Sequence, residues 1–542
     1  MPTEDNEKKM FLQKPRSPHP RHAATVTMHN LFFASILSFL LFMATPARAA
    51  DSLLWFAGGR PNGEALQALH ILSDAASEGL NPENYGARTL SQAFEDAGNG
   101  PSLPAEAMAR LDRSLTEAME RYLTHLHFGQ VDPRLVEMNF SAPRTVGYDP
   151  AAVLREAVRD KRLREAVAEA APDLPLYRDL RRALDDFRKF ADESADSPLW
   201  RSDLPPVPNR KLEPGQSYAG LPLLIQRLVS LGDLPVDTFV SSHYDGAVVD
   251  GVKAFQARHG LEPDGIVGAQ TLSWLNVRPG SRVRQIELAM ERLRWTPLLA
   301  ARSMVVVNVP ENVLEAYEVR DGRIEVKARM RVITGNAAKT RTPLFDQEMR
   351  SIEFNPYWNV PSSIARKEVV PELRKYPHYF DRQGFEFVSG DGSVTTEFSF
   401  AALDAVMRGQ MRIRQRPGPK NAMGDIKFVM PNKDNIYLHH TGAPRLFERY
   451  RRDLSHGCVR VEDPVALARF VLRNDPDWSE ERIRSIMETG QSTTIRLREP
   501  VRVVIAYNTV RVENDAVHFF SDVYGQDSQL ERMLRGSGDR LN

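Results

Sequence analysis

The chain contains a single cysteine, Cys458, among 542 residues, so it can form no internal disulfide, and a covalent crosslink is excluded as a source of stability. It also lacks a charge bias. Lys and Arg together number 71 and Asp and Glu number 71, which removes the sequence-wide basic field that a nucleic-acid binder uses, so no nucleic-acid partner is expected. Long apolar runs are scarce, and a mean hydropathy of -0.40 excludes a polytopic membrane protein. What is present is ordinary packing material: 42% hydrophobic and 26% charged residues over a length that, at about 150 residues per domain, implies three or four domains.

The one conspicuous apolar run, Leu31 to Met43, follows Lys8, Lys9, Lys14, Arg16 and Arg21 and precedes Ala47-Arg48-Ala49. It is shorter than the roughly 20 residues a membrane-spanning helix needs, so residues 1–49 read as a secretory signal with an N-terminal extension, cleaved after Ala49. An uncleaved inner-membrane anchor is the alternative, and Met28 is an alternative start. Export places the lone thiol in an oxidising compartment, where it is either buried or chemically useful.

Beyond the leader, the fold class expected is multidomain α+β. Residues 50–210 repeat apolar positions at helical steps, as in Met108, Leu111, Leu115, Met119, Tyr122 and Leu126, and predict a helical scaffold domain. Pro205, Pro206, Pro208 and Pro214 mark a linker. Residues 217–278 predict three short helices, and 279–300 a connecting helix. From 301 to 525 the pattern turns β-rich, with strands expected at 304–309, 315–319, 326–333, 426–430, 435–440, 493–497 and 501–512. Two helices interrupt them, at 464–473 after the N-cap Asp463 and at 480–488 after Ser479. Residues 365–415 fit the sheet poorly and read as an inserted lid, and 526–542 as a C-terminal tail.

The chemistry gathers at Ser455-His456-Gly457-Cys458-Val459-Arg460. A free thiol, with a pKa near 8.5, is only a few per cent ionised at neutral pH, so a cysteine nucleophile needs a base. On an extended strand His456 and Cys458, two apart, would share a face and stand within proton-transfer reach. Gly457 leaves room for an approaching carbonyl, and the adjacent N–H groups of Gly457 and Cys458 could hold an oxyanion. Ser455 could fix an imidazole tautomer, and Arg460 could grip a carboxylate with a bidentate fork. Thiolate and imidazoles also suit zinc, but no His-Glu-x-x-His occurs and no carboxylate recurs beside these histidines, so neither metal nor cofactor is expected.

Taken with Tyr437-Leu438-His439-His440-Thr441 and the fifteen-residue step from His440 to Ser455, this pattern resembles the L,D-transpeptidase (YkuD) catalytic domain of bacterial wall synthesis. The likeness extends to Thr334-Gly335, Arg341-Thr342-Pro343, the Asn355-Pro356-Tyr357-Trp358-Asn359-Val360-Pro361 string and Asn421-Ala422-Met423-Gly424. Upstream, Phe255-Gln256, Gly260-Leu261, Asp264-Gly265, Gly268 and Thr271 resemble a peptidoglycan-binding module. The whole mature chain is similar to the large Gram-negative members of that family, which implies a periplasmic enzyme.

The resemblance implies that His439 lies on a second strand ending beside Cys458, with either His439 or His456 moving the proton. It implies that Cys458 attacks the L-centre carbonyl of a tetrapeptide stem, releases D-Ala and passes the acyl group to a diaminopimelate amine as a 3-3 crosslink. Water or a lipoprotein is the alternative acceptor, and a non-catalytic wall-binding scaffold the alternative to an enzyme. Arg460, where the family often has Asn, and Tyr437, Asn421, Gly424 and Trp358 are the candidate substrate contacts, with Trp358 equally suited to packing. Stem peptides, glycan and other wall-synthesis enzymes are the implied partners, and carbapenems the implied inhibitors. A serine penicillin-binding enzyme is disfavoured, since no Lys has Ser three residues before it.

Overall fold

Helical spacing builds the front of the chain. The computed structural model describes residues 53–140, 147–238, 242–321 and 323–538, so the leader expected at 1–49 lies outside the described residues. A small hairpin, β1 (Phe56–Ala57) with β2 (Arg60–Pro61), precedes α1 (Gly63–Ser73), α2 (Ala87–Asn99) and α3 (Ala105–Phe128). The two-residue β3 (Met138–Asn139), α4 (Pro150–Arg159), α5 (Leu163–Ala170) and α6 (Pro175–Ser194) complete the helical region. Asn62 caps α1 by accepting from the Ala65 N–H, and Asp149 caps α4 in the same way through Ala151 and Ala152. Along α3 the buried stripe is Leu115, Met119, Tyr122 and Leu126, while Met108 and Leu111 pack at its edge.

The short α7 (Pro198–Arg201) leads to a three-helix module of α8 (Leu221–Ser230), α9 (Gly246–Arg258) and α10 (Ala269–Leu275). Leu224, Leu228, Val252, Phe255 and Leu275 form a core of its own. Buried Gln256 holds the following turn, donating to Asp264 Oδ1 and the Ile266 carbonyl and accepting from the Gly265 N–H. Gly265 has φ +72°, and Val249 stands 2.8 Å from where a Cβ would sit, so both backbone and space demand glycine. The connecting helix is α11 (Pro279–Leu293).

The next region is a sheet closed on itself. Its strands are β4 (Ser303–Asn308), β5 (Val313–Arg320), β6 (Arg323–Gly335) and β7 (Leu344–Phe354), after which β8 (Trp358–Asn359) opens an insertion. That insertion runs α12 (Ser362–Ile364), a π-helical turn (Ala365–Val369), α13 (Val370–Lys375), α14 (Tyr379–Gln383), β9 (Phe385–Ser389), β10 (Val394–Thr395), α15 (Phe400–Arg408) and β11 (Met411–Gln415). The chain returns through β12 (Ile426–Val429), β13 (Leu438–His439), β14 (Asp453–Ser455) and β15 (Val459–Val461). It continues as α16 (Pro464–Leu472), α17 (Glu480–Glu488), β16 (Thr493–Ala506), the hairpin β17 (Val510–Glu513) with β18 (Ala516–Phe519), and α18 (Gln526–Gly538). Strand order is β12-β13-β15-β6-β5-β4-β16-β7-β3, and β12 also pairs with β7, which closes the ring around Val307, Leu314, Val332, Ile352, Phe428, Leu438 and Val503.

Several expectations change here. The long β7 escapes sequence reading because Asp346, Glu348 and Arg350 disguise it, yet Asp346 is buried against Arg502 of β16, its register partner being Val504. The expected 435–440 strand is only two residues long. The expected tail begins as α18, whose Leu530 is fully buried in the main core. The insertion is a folded unit in which Phe380, Phe385, Phe387, Leu403 and Ile413 make a separate core.

The helical region and the sheet are joined directly: β3 runs parallel to β7. Behind that junction Glu291 and Arg294 form a 2.5 Å ion pair with side chains 1% and 0% exposed. Among the described residues, no helix is long and apolar enough to cross a membrane.

Candidate active site

Strand register decides which side chains meet. β13 and β15 are parallel, with Leu438 opposite Val459 and His439 opposite Arg460. β12 sets Lys427 opposite His439 on one side and opposite Glu353 on the other. Paired residues point to the same face and successive residues to opposite faces. Ile352, Phe428, Leu438 and Val459 are fully buried in the core, so Glu353, Lys427, His439 and Arg460 look the other way. Tyr437 and Cys458, each two residues earlier on the adjoining chains, join them.

The Cys458 thiol is half-buried and donates to the Asn435 carbonyl at 3.7 Å. Burial pushes it above the ordinary thiol value, opposed by a hydrogen bond from the Tyr437 hydroxyl and by the charges of Lys427 and Arg460. Lys427 Nζ sits 4.6 Å from the Tyr437 ring centre and 3.0 Å from Glu353 Oε2. Burial thus disfavours the thiolate, and the Tyr437 hydroxyl and the two cations favour it.

His439 lies diagonally across from Cys458, being opposite Arg460 in the parallel register. Its Nδ1 is 2.5 Å from the His440 carbonyl, which can only accept, so Nδ1 carries the proton and Nε2 the lone pair. Burial lowers its pKa to about 3, with Arg460 adding to the effect and the carbonyls of His440 and Met423 opposing it. Between that value and the ordinary 6.5 the folded chain binds fewer protons than the unfolded one, so stability falls as pH drops through this window. Urea midpoints measured from pH 7 to pH 4 are expected to decline, and His439→Gln to flatten that decline; an unchanged slope would contradict the neutral, buried imidazole.

His456 departs from expectation. The His456–Cys458 segment is no extended strand: it links β14 to β15 through Gly457 at φ +118°, and this turn sends the imidazole to the insertion, where Nε2 is 2.8 Å from Glu368 Oε1. The Gly457 N–H is also committed, donating to Ser455 Oγ at 3.1 Å, which leaves the Cys458 N–H as the remaining donor of the expected pair. Ser455 Oγ in turn donates to the Cys458 carbonyl at 2.5 Å rather than to an imidazole. Neighbouring motif residues clamp the same loop: Thr342 Oγ1 donates to the Gly457 carbonyl at 2.8 Å and Thr340 Oγ1 to the Ser455 carbonyl at 2.9 Å.

The other candidates divide. Arg460 is half-buried beside the thiol, and its Nε has no partner among the described residues. Asn421 is buried and spends its amide on the carbonyls of Pro356 and Arg416, so it shapes a turn rather than facing a ligand. Gly424, at φ +61°, is required because His440 Nδ1 stands 2.6 Å from the place of a Cβ. Trp358 packs against the core of the insertion. Sequence reading missed Lys427, Glu353 and Glu368. The usable signal for Lys427 was a lone cation between two core residues, Ile426 and Phe428, on a short strand.

A barrel-like sheet thus presents one thiol among an imidazole, a phenol and cations on a single face. Residues 302–496 match the L,D-transpeptidase catalytic domain (YkuD), so the chain carries a domain of that family. Residues 47–184 match the scaffold domain and 220–275 the "Putative peptidoglycan binding domain". A Haemophilus influenzae protein named "Putative L,D-transpeptidase" is 31% identical over 244 residues, which cover 45% of this chain and 48% of that protein. The chain thus aligns with about half the length of that relative. A crystal structure of an L,D-transpeptidase (Yku) from Stackebrandtia nassauensis is 14% identical with a TM-score of 0.22, covering 56% of this chain and 98% of that one. A Clostridium acetobutylicum fused Zn-dependent amidase/peptidase with a peptidoglycan-binding domain is 10% identical with a TM-score of 0.17, covering 55% and 99%.

Proposed function

We propose that this protein is an exported L,D-transpeptidase that crosslinks peptidoglycan stems through an acyl-enzyme on Cys458. The observation that carries the reading is the shared face: the only thiol of the chain stands with His439, Tyr437, Lys427 and Arg460 on one side of β12, β13 and β15. His439 Nε2 takes the thiol proton, and the His440 carbonyl steadies the resulting imidazolium through Nδ1–H. Sulfur attacks the L-centre carbonyl of the third stem residue, and the Cys458 N–H is directed at the oxyanion. Collapse expels D-Ala, whose amine leaves with the proton held by His439. A diaminopimelate amine on a second stem then displaces sulfur, forming a 3-3 crosslink. The thioester stores the peptide-bond energy, so the reaction needs no nucleotide outside the cytoplasm. Arg460, with its unpartnered Nε, suits a stem carboxylate.

The purified protein, incubated with tetrapeptide-rich wall fragments, is expected to yield muropeptides that have lost D-Ala and gained dimers by mass. Loss of D-Ala without dimers would make it a carboxypeptidase, and unchanged muropeptides would overturn the proposal. The insertion acts as a lid tied down at Glu368–His456. Replacing 362–415 by a short linker is therefore expected to raise the ratio of hydrolysis to transfer several-fold, and an unaltered ratio would remove the closing role.

A further inference from the structure

A cavity of about 250 Å³ is lined by none of the residues around Cys458. It opens between the start of α6, the end of α11 and the strands β4, β5, β6 and β17. Most of its wall is apolar, with Leu176, Leu293, Leu298, Val306, Tyr317 and Val510 contributing. Its polar atoms are unbalanced in an informative way. Arg292 and Asn508, 1% and 8% exposed, both line it, and Arg292 Nε, Arg292 Nη2 and Asn508 Nδ2 have no hydrogen-bond partner among the described residues. Arg511 Nε, also on this wall, is likewise unpartnered. All four atoms are donors.

The carboxylates on the wall are already matched. Glu311 pairs with Arg329 at 2.8 Å, Glu315 with Arg511 at 2.8 Å and Asp179 with Arg182 at 2.7 Å. Arg292 itself gives only Nη1 to Asp527. The N-terminus of the twenty-residue α6 lies on the same wall, with Pro175 at its first position and no side chain capping it from Leu174, so the positive end of the helix dipole adds to the donors. A buried donor without a partner is costly, and several around one apolar cavity describe the negative image of a ligand with an oxyanion head and a hydrocarbon tail.

We propose that this cavity binds an amphipathic monoanion, a medium-chain carboxylate whose oxygens meet Arg292 and Asn508 while its chain lies along Leu176, Leu298 and Val306. Bound there, it bridges the helical region, the connecting helix and the closed sheet.

Calorimetry of the full chain with sodium decanoate below its micellar concentration is the test. One saturable site is expected, with decanol and acetate each at least about tenfold weaker because each lacks half of the recognised chemistry. Asn508→Asp, nearly isosteric, replaces a donor by a repelling charge and is expected to weaken decanoate about tenfold or more; Val306→Trp fills the cavity and is expected to abolish binding. Thermal melts of both variants check that they fold, and Arg292→Met serves as a third if its melt is intact. No heat with decanoate would mean the cavity holds water only and would overturn the proposal. Equal binding of decanol, or unaltered binding by Val306→Trp, would overturn it as well.

Discussion

Cys458→Ala is expected to abolish both the covalent adduct with a carbapenem and all stem transfer, while leaving the thermal unfolding profile of the protein in place. The chain has no other thiol, so intact mass after carbapenem exposure reads this one atom without ambiguity. The stability expectation rests on position: Cys458 is half-buried and packs at the margin of the core rather than within it, so its truncation removes little buried volume. An adduct that persists in the variant, or transfer that survives, would refute the sulfur mechanism. A wild-type protein with no adduct at all would leave only a wall-binding scaffold. The same assay over pH tests the role of burial. Because desolvation raises the thiol, acylation is expected to climb with pH beyond the free-thiol midpoint, and Tyr437→Phe, which deletes a hydrogen bond to sulfur, to move that climb further upward.

The second large effect concerns the junction behind the sheet. Arg294→Met is expected to destabilise the protein by about 3–5 kcal/mol, because it strands the Glu291 carboxylate in the interior. Arg294 also donates to the Glu78 carbonyl and to the Tyr177 hydroxyl, so one guanidinium ties α11 to two parts of the helical region. Replacing both charges with apolar side chains often restores a buried pair's stability, but not here. Glu291 Oε1 additionally accepts the N–H groups of Gln130 and Val131, at 2.5 and 3.2 Å, and a leucine at 291 would leave both unsatisfied. Arg294→Met with Glu291→Leu is thus expected to remain well below wild type in urea. Full recovery by the double variant would show that the backbone contacts are dispensable.

The His456–Glu368 pair illustrates how one backbone angle redirects a chemical argument. Two-residue spacing puts side chains on one face only if the residue between them is extended, and Gly457 at φ +118° is not. Its histidine consequently reaches the insertion, whereas His439 shares the face of Cys458 through a pairing of β13 with β15 that depends on residues about twenty positions away. The candidates near the Asn421 motif changed meaning for a similar reason. A glycine or asparagine recurring beside a site reads as ligand contact in one dimension, whereas three-dimensional packing shows Gly424 making space for His440 and Asn421 closing a turn.

From its residues alone this protein was legible wherever a property is local. Helical steps marked Leu115 to Leu126, Asp463 and Ser479 announced the helices they cap, Asp264-Gly265 announced a turn, and a lone thiol beside His-Gly marked the candidate site. Tertiary structure alone decided the rest: that charged β7 is a central strand, that the last helix belongs to the core, that Lys427, paired with Glu353, acts on the sulfur, and that burial raises the thiol above its ordinary value. Those properties arise from pairing and burial between segments distant in the chain. Periodicity records what a residue's neighbours in sequence require of it; it carries no record of which other strand will lie alongside or of how much water that strand will displace.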